Sequence, residues 1–429
     1  MFVAHDVCAE EDQLIMRVTE VSEGIYRLSA NVRNILFEGM WHIPNGVAMN
    51  SYIVKGRKCA IIDGVCDWDG VPETLYAQLD EMKIKITDID YVIVNHMEPD
   101  HSGWLRTFRE MRGDFKIICS EKAPPLLEAF YGITENIQTV KSGDTLDLGD
   151  GRVLAFEDIP NVHWPETMAT YDTKSCTLFP CDAFGSFGAV SDEAPYDDTL
   201  TEEHIEFFER EMERYYANIV AAFSKPTQDA IKKLGGIEIK CIAPGHGIVW
   251  RKDPSRVIRS YIRLASYAKG PARPEVTVIW GSMYGMTEMA IKPLVDAIEA
   301  EGVPTRVHRV PETDMSFVLD SVFQSSGVVL GMPTYEYKMF PPMAAAVDEI
   351  AKKRIINRKA FRFGSFGWSG GAQRDLEETA SRLKMHWDFL DPVEFKGKPT
   401  EEDLKLIQQR GRELARQVKE WALTKTAAT

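Results

Sequence analysis

Four groups able to hold a metal fall within six residues, in the run His96-Met97-Glu98-Pro99-Asp100-His101. Two imidazoles and two carboxylates crowded onto one turn call for a cation to hold them together. Nitrogen and carboxylate-oxygen donors without thiolate suit iron, manganese or zinc better than copper(I) or an iron–sulfur cluster. Three further donors sit in related settings: His163 in Pro160-Asn161-Val162-His163-Trp164-Pro165, Asp182 in Pro180-Cys181-Asp182-Ala183-Phe184-Gly185, and His246 in Pro244-Gly245-His246-Gly247. Each follows a short apolar or β-branched run and is flanked by Gly or Pro, as at a strand end entering a loop. A lone loop histidine is more often exposed or hydrogen-bonded than a ligand, so His163 and His246 count because the dense cluster needs partners. His5, His42, His204, His308 and His386 have no such setting and read as structural or exposed. A cation takes about four to six donors, so seven are too many for one metal and suit two.

The elements that must position these donors can be read around them. Ile89 to Asn95 reads as a buried strand, and the six-residue cluster hangs off its end, where rigid scaffolds commonly hold functional loops. Met49–Val54 and Cys59–Asp63 read as further strands, alternating with amphipathic helices such as Val71 to Met82. From Thr201 to Phe223 the apolar residues Ile205, Phe207, Phe208, Met212, Tyr215, Ile219 and Val220 recur at helical spacing, which predicts a helix covering a sheet sandwich. A last helix runs from about Pro254 to Ala268. The breaker-rich Lys269-Gly270-Pro271-Ala272-Arg273-Pro274 then reads as a linker, giving domains at 1–268 and 275–429.

The second domain opens as strand, loop and helix. Val276–Trp280 is a short β-branched strand, Ser282-Met283-Tyr284-Gly285-Met286-Thr287 is the turn, and a helix follows from about Glu288 to Glu301. Hydroxyls bracketing a Gly at a helix N-terminus make an anion site fit for a terminal phosphate. Such turns also arise by chance. Two later loops add weight: Val328–Met332 ends in Pro333-Thr334-Tyr335-Glu336-Tyr337, and Phe361–Ser365 ends in Phe366-Gly367-Trp368-Ser369-Gly370-Gly371. Three strand ends, each with a polar and aromatic loop before a helix, match a doubly wound sheet with a ligand at its carboxyl edge. Tyr335, Tyr337 and Trp368 are placed to flank a flat ring. The dinucleotide fingerprint G-x-G-x-x-G is absent, which disfavours NAD or FAD.

Composition narrows the classes. The 429 residues suffice for two or three domains, and 44% hydrophobic with 27% charged residues is ordinary for a globular protein. A formal charge of −15 argues against nucleic acid or an anionic membrane surface as partner. No apolar run reaches the roughly 18 residues of a membrane span. Met1 to Asp12 is acidic and lacks the pattern of a signal peptide. Seven scattered cysteines do not form a secreted disulfide framework, so a cytoplasmic location is expected.

The series His96-x-Glu98-x-Asp100-His101, His163, Asp182 and His246 resembles the ligand set of the flavodiiron proteins, or A-type flavoproteins. The stretch from about Glu275 to Val418 resembles flavodoxin. The resemblance implies an αββα metallo-β-lactamase-like sandwich followed by a flavodoxin-like doubly wound parallel sheet. Zinc hydrolases of the first fold usually carry H-x-H-x-D-H, and Glu98 stands here in the second His position, which favours iron. It further implies one iron on His96, Glu98 and His163, another on Asp100, His101 and His246, and Asp182 bridging. FMN would lie on Ser282, Met283, Tyr284, Gly285, Met286 and Thr287, on Pro333, Thr334, Tyr335 and Glu336, and on Ser365, Phe366, Gly367, Trp368, Ser369 and Gly370. The implied reaction is reduction of dioxygen to water, of nitric oxide to nitrous oxide, or both. Trp164 and Tyr171 read as packing residues near the pocket. The implied assembly is a head-to-tail homodimer or a dimer of dimers. These residues hold no C-x-x-C pair, so the fused rubredoxin module of some relatives is not among them. The expected electron donor is therefore a separate rubredoxin or a rubredoxin reductase system, docking near Lys338, Lys352, Lys353, Arg354 and Arg358. Two alternatives stay open: a zinc hydrolase with an appended flavodoxin domain, and a non-catalytic flavin electron carrier.

Overall fold

The computed structural model describes residues 18–68, 70–191 and 195–426. The acidic segment Met1 to Asp12, with His5, lies outside the described residues. Two compact units form, and they do not follow the chain in one cut. The first comprises the residues up to Met212 together with Asp229–Ile258; the second comprises Glu213–Gln228 together with the residues from Arg259 onward.

In the first unit, period-two alternation builds two sheets that share one core. The larger runs in the order Thr19–Ser22, Ile25–Val32, Val47–Lys55, Cys59–Ile62, Tyr91–Val94, Lys116–Ser120, Ile137–Val140. Its pairs are antiparallel as far as Cys59–Ile62 and parallel from there on. The smaller has the order Thr145–Gly149, Arg152–Asp158, Met168–Asp172, Thr177–Phe179, Cys241–Ile242. Alternate residues such as Tyr52 and Val54, Ala60 and Ile62, Leu146 and Leu148, Leu154 and Phe156 all enter a single hydrophobic cluster. Two sheets with inner faces interdigitated in this way form a sandwich. The helix Val71–Glu81 buries Val71, Leu75 and Leu79 at spacings of four. Its Gln78 side chain clasps the Ser29 backbone, accepting from the N–H at 3.0 Å and donating to the carbonyl at 2.7 Å.

The single helix expected over 201–223 is broken. An α-helix over Glu202–Tyr215 passes into a wide turn at Tyr216–Val220, a tight turn at Ala221–Phe223 and a new helix, Ser224–Leu234. Pro226 accounts for the tight turn: it has no N–H to give the carbonyl of Ala222, and its ring excludes that carbonyl from the helical ladder. The break lies in the piece that belongs to the second unit, where Tyr216 packs edge-on to Tyr261, with ring centroids 5.1 Å apart, and against Phe323 at 5.5 Å.

The second unit carries a parallel sheet in the order Thr305–Arg309, Arg273–Trp280, Ser325–Gly331, Lys359–Phe366, with Asp388–Phe389 and Val393–Lys396 both paired to the last of these. This unit's first strand thus sits second, the doubly wound arrangement in which strand order reverses beside the opening strand. Ser325–Gly331 is buried along its whole length, as a central parallel strand must be. Arg273 and Pro274, expected in the linker, already belong to the opening strand, where Arg273 pairs with Ser325. The helix expected from Glu288 begins as one tight turn and becomes α-helical only over Ile291–Glu299, which leaves Pro293 in the first turn, where proline is tolerated. Among the described residues no helix is long and apolar enough to cross a membrane.

Candidate metal centre and flavin site

The strand Tyr91–Val94 delivers the chain to His96, and Pro99 starts a one-turn helix, Pro99–Ser102, that turns Asp100 and His101 back toward it. All seven donors expected from the sequence converge. His163 Nε2 lies 2.7 Å from Glu98 Oε2, and His96 Nε2 lies 3.2 Å from both Glu98 Oε2 and Asp182 Oδ2. A second group gathers on the other side: His101 Nε2 lies 2.9 Å and His246 Nε2 3.3 Å from Asp182 Oδ1, with Asp100 Oδ2 3.2 Å from His246. Donor atoms of His96, Glu98, His163 and Asp182 all lie within 4.8 Å of one another, and so do those of Asp100, His101 and His246. Asp182 therefore turns one carboxylate oxygen to each set. Gly245 makes room here, since a Cβ would come within 2.6 Å of the His101 ring.

The charges in this cluster are strongly coupled. Burial alone would depress the histidines, yet hydrogen bonds to Asp182 and Glu98 raise His163 to about 9, and those to Asp100 and Asp182 raise His246 to about 10. His96 is likewise lifted well above its ordinary value by Glu166 and Glu98 against the pull of burial. Burial would raise Glu98 and Asp182, but the histidines around them hold both well below the usual carboxylate range. Asp100 Oδ1 is buried with no hydrogen-bond partner among the described residues. A buried, convergent set of four imidazoles and three carboxylates, with an acceptor to spare, fits two hard-to-borderline cations.

In the second unit, the three expected loops lie at the carboxyl ends of adjacent strands. Ser282 Oγ accepts the Gly285 N–H at 2.9 Å, and Thr287 Oγ1 lies 3.1 Å from Ser365 Oγ, tying the first loop to the third. Pro333 leads into the hairpin Thr334–Tyr335 with Lys338–Met339, whose turn residues Glu336 and Tyr337 have φ of 45° and 65°. Asp375 steadies it by accepting from Lys338 Nζ at 2.8 Å and the Met339 N–H at 3.0 Å. Gly371 lies against the turn, where a Cβ would collide with the Tyr337 carbonyl. Trp368 stands edge-on to Tyr337, with Nε1 3.3 Å from the hydroxyl. Exposed aromatic faces beside a hydroxyl-bearing loop suit a flat heterocycle that carries a phosphate.

Residues 47–247 match the family described as ODP family beta lactamase, and residues 278–408 match flavodoxin. The anaerobic nitric oxide reductase flavorubredoxin of Salmonella typhi is 34% identical over 384 residues, covering 88% of this chain and 77% of the relative. The chain belongs to the flavodiiron proteins. Solved flavodiiron structures resemble it along nearly its whole length. The rubredoxin oxygen:oxidoreductase of Desulfovibrio gigas superposes with a TM-score of 0.87 at 27% identity, covering 94% of this chain and 99% of that one. The flavodiiron protein of Giardia intestinalis gives 0.87 at 27% identity, with 95% and 98% covered.

Some expectations for this flavodiiron chain need correction. Tyr171, read as a packing residue, gives its hydroxyl to the Glu238 carbonyl at 2.6 Å. Trp164 is near the cluster, edge-on to His96 at 5.2 Å. Arg358 cannot belong to a basic docking patch, because it is buried and spends its guanidinium on the carbonyls of Tyr267, Phe323 and Ile356. Lys338 and Lys352 are already paired, with Asp375 and with Asp348 and Glu349. The residues missed are those behind the ligands. Glu166 Oε1 lies 2.9 Å from His96 Nδ1, and the Asp63 carboxylate accepts the backbone and side-chain N–H groups of Asn95 at 2.7 and 3.0 Å, pinning the loop's root. Glu166 follows His163 by three residues, a spacing with no signal of its own.

Proposed function

We propose that this flavodiiron chain reduces dioxygen to water, nitric oxide to nitrous oxide, or both, at a non-haem diiron centre supplied with electrons by FMN. The observation that carries the reading is Asp182, 2% exposed, with its two oxygens turned to two separate pairs of histidines. A carboxylate shared by two cations needs this arrangement. In our reading His96, Glu98 and His163 hold one iron, Asp100, His101 and His246 the other, and Asp182 both. FMN is assigned to Ser282–Thr287, Pro333–Glu336 and Ser365–Gly370. When bound, the irons supply the binding and reduction of the gas and the flavin supplies the electrons. The protein's part is to fix the donors and wall them with aromatic rings. Trp164 walls one side at His96, and Phe37 stands edge-on to His246 at 5.5 Å on the other.

Both gases belong in the reading because every ligand serves either, and relatives named for each are similar to this chain. The names of those relatives also support rubredoxin, or a rubredoxin reductase system, as electron donor. A head-to-tail homodimer or dimer of dimers, and a cytoplasmic location, complete the proposal. The zinc hydrolase and the bare electron carrier are not favoured, since Glu98 replaces the usual nitrogen ligand and seven donors exceed a closed structural site. The test is anaerobic turnover with reduced rubredoxin, following each gas in parallel, with metal and flavin measured on the same sample. Iron, FMN and consumption of at least one gas are expected. Zinc without iron and no gas consumed would overturn the assignment.

A further inference from the structure

We propose that Glu166 is a positioning residue that makes the two metal seats unequal, by holding the Nδ1–H of His96 so that Nε2 faces the metal as a strengthened donor. The inference rests on the diiron reading. Glu166 and His96 side chains are 1% and 0% exposed, and Glu166 Oε1 lies 2.9 Å from His96 Nδ1. The same oxygen accepts the Met97 N–H at 3.0 Å, and Ser120 Oγ donates to the Glu166 backbone carbonyl at 2.6 Å, so the side chain and the backbone of Glu166 are each held. An ionised carboxylate only accepts, so the ring proton sits on Nδ1 and Nε2 is left for the cluster. There Nε2 lies 3.2 Å from Glu98 Oε2 and from Asp182 Oδ2. The hydroxyl of Thr167, 3.2 Å from Nδ1, is a weaker, neutral neighbour.

The rings of the opposite seat meet different neighbours. His246 Nδ1 faces the Ala48 backbone carbonyl at 3.2 Å, a neutral acceptor, and His101 Nδ1 is buried with no hydrogen-bond partner among the described residues. A carboxylate behind a ligating imidazole raises its basicity and orients it. Stronger donation favours the more oxidised metal, so the seat built on His96 holds the iron that is harder to reduce.

The test uses the full-length chain loaded with FMN and iron, comparing Glu166→Gln, Glu166→Ala and Thr167→Val. Anaerobic potentiometric titration followed by iron spectroscopy reads the two metal potentials, and competition with a chelator reads iron affinity. Glu166→Gln keeps an oxygen for the Met97 N–H. It is expected to raise the lower potential by about a tenfold change in oxidised-over-reduced preference, ~59 mV for one electron. Glu166→Ala should also weaken one iron by about 10- to 100-fold, and Thr167→Val should move neither quantity. A Glu166→Gln protein with unchanged potentials and affinity, or one whose higher potential moved instead, overturns the inference while leaving the diiron reading intact. An unaltered chain that takes up no iron pair defeats that reading itself. Should the variants not fold, the unaltered protein loaded with zinc and labelled with 15N-histidine decides. Nitrogen NMR should find His96 protonated at Nδ1, and protonation at Nε2 would refute the role.

Discussion

At the metal cluster the functional groups are buried and face one another, whereas at the flavin site they are exposed and face outward. His96 and His246 are fully buried, while Tyr284 and Trp368 are 84% and 78% exposed. The difference follows from what each ligand brings. A bare cation contributes no surface of its own, so the protein must supply every donor at short range, and it gathers like charges that would otherwise repel. A flavin brings a broad ring and a charged phosphate, so the protein need offer only faces, hydroxyls and backbone N–H groups. The metal site is therefore a matter of coupled charge, and the flavin site one of surface. Emptying the first should disturb the protein far more than emptying the second.

Substituting Asp182 breaks the comparison most severely. Asp182→Ala removes an oxygen from each seat, and iron should be lost from both, with affinity falling by more than about 100-fold. FMN content should stay at the parent level. Metal and flavin analysis of the same sample checks this, and joint loss of both cofactors would show that the two sites are not separately built.

Next in size is the effect of pH on protein stripped of metal by chelation. His163 and His246, raised to about 9 and about 10, stand above an unfolded value of about 6.5. Their contribution is thus fully present below about 6.5 and is lost as pH rises through those folded values. Glu98 and Asp182, held low, act oppositely and fail only in acid. The melting temperature of the stripped protein should therefore fall by several degrees, on the order of 2–4 °C for each kcal/mol, between pH 6 and 10. The iron-loaded protein, whose histidines are ligands, should not follow it. Parallel melts of the two forms would expose the comparison as false if both fell alike.

Smaller effects are expected at the flavin. Trp368→Ala removes an exposed aromatic face and should weaken FMN by roughly tenfold, within the ~1–3 kcal/mol of one ring stacking on a base. Iron content should not change. Fluorescence titration of the flavin-free protein measures it. Tyr337→Phe removes only the hydroxyl 3.3 Å from Trp368 Nε1, and the same titration should shift by no more than about threefold.

The sequence showed these two sites to different depths, for a physical reason. Four of the metal donors lie within six residues, so local spacing alone made them visible, and strand ends pointed to the other three. The flavin loops were visible because each joins a buried β-branched strand to a helix. What stayed hidden depends on pairing across long separations. Glu166 reaches His96 across 70 residues, and no local pattern distinguishes it from any other loop glutamate. Arg358 misled in the opposite way, since charge reads as exposure unless helix-end carbonyls are known to surround it. The stripe of Thr201 to Phe223 announced a helix but not which unit would cover its far end, nor that Pro226 would distort it.

The central claim is that two irons on one shared carboxylate consume the gas while the flavin feeds them. Anaerobic stopped-flow tests it most directly: fully reduced parent and Asp182→Ala protein, each with its FMN in place, are mixed with dioxygen or nitric oxide. The parent should reoxidise its flavin in a fast phase as gas disappears, and the variant should lose that phase. Equal rates of flavin reoxidation and gas loss in the two proteins would contradict the account.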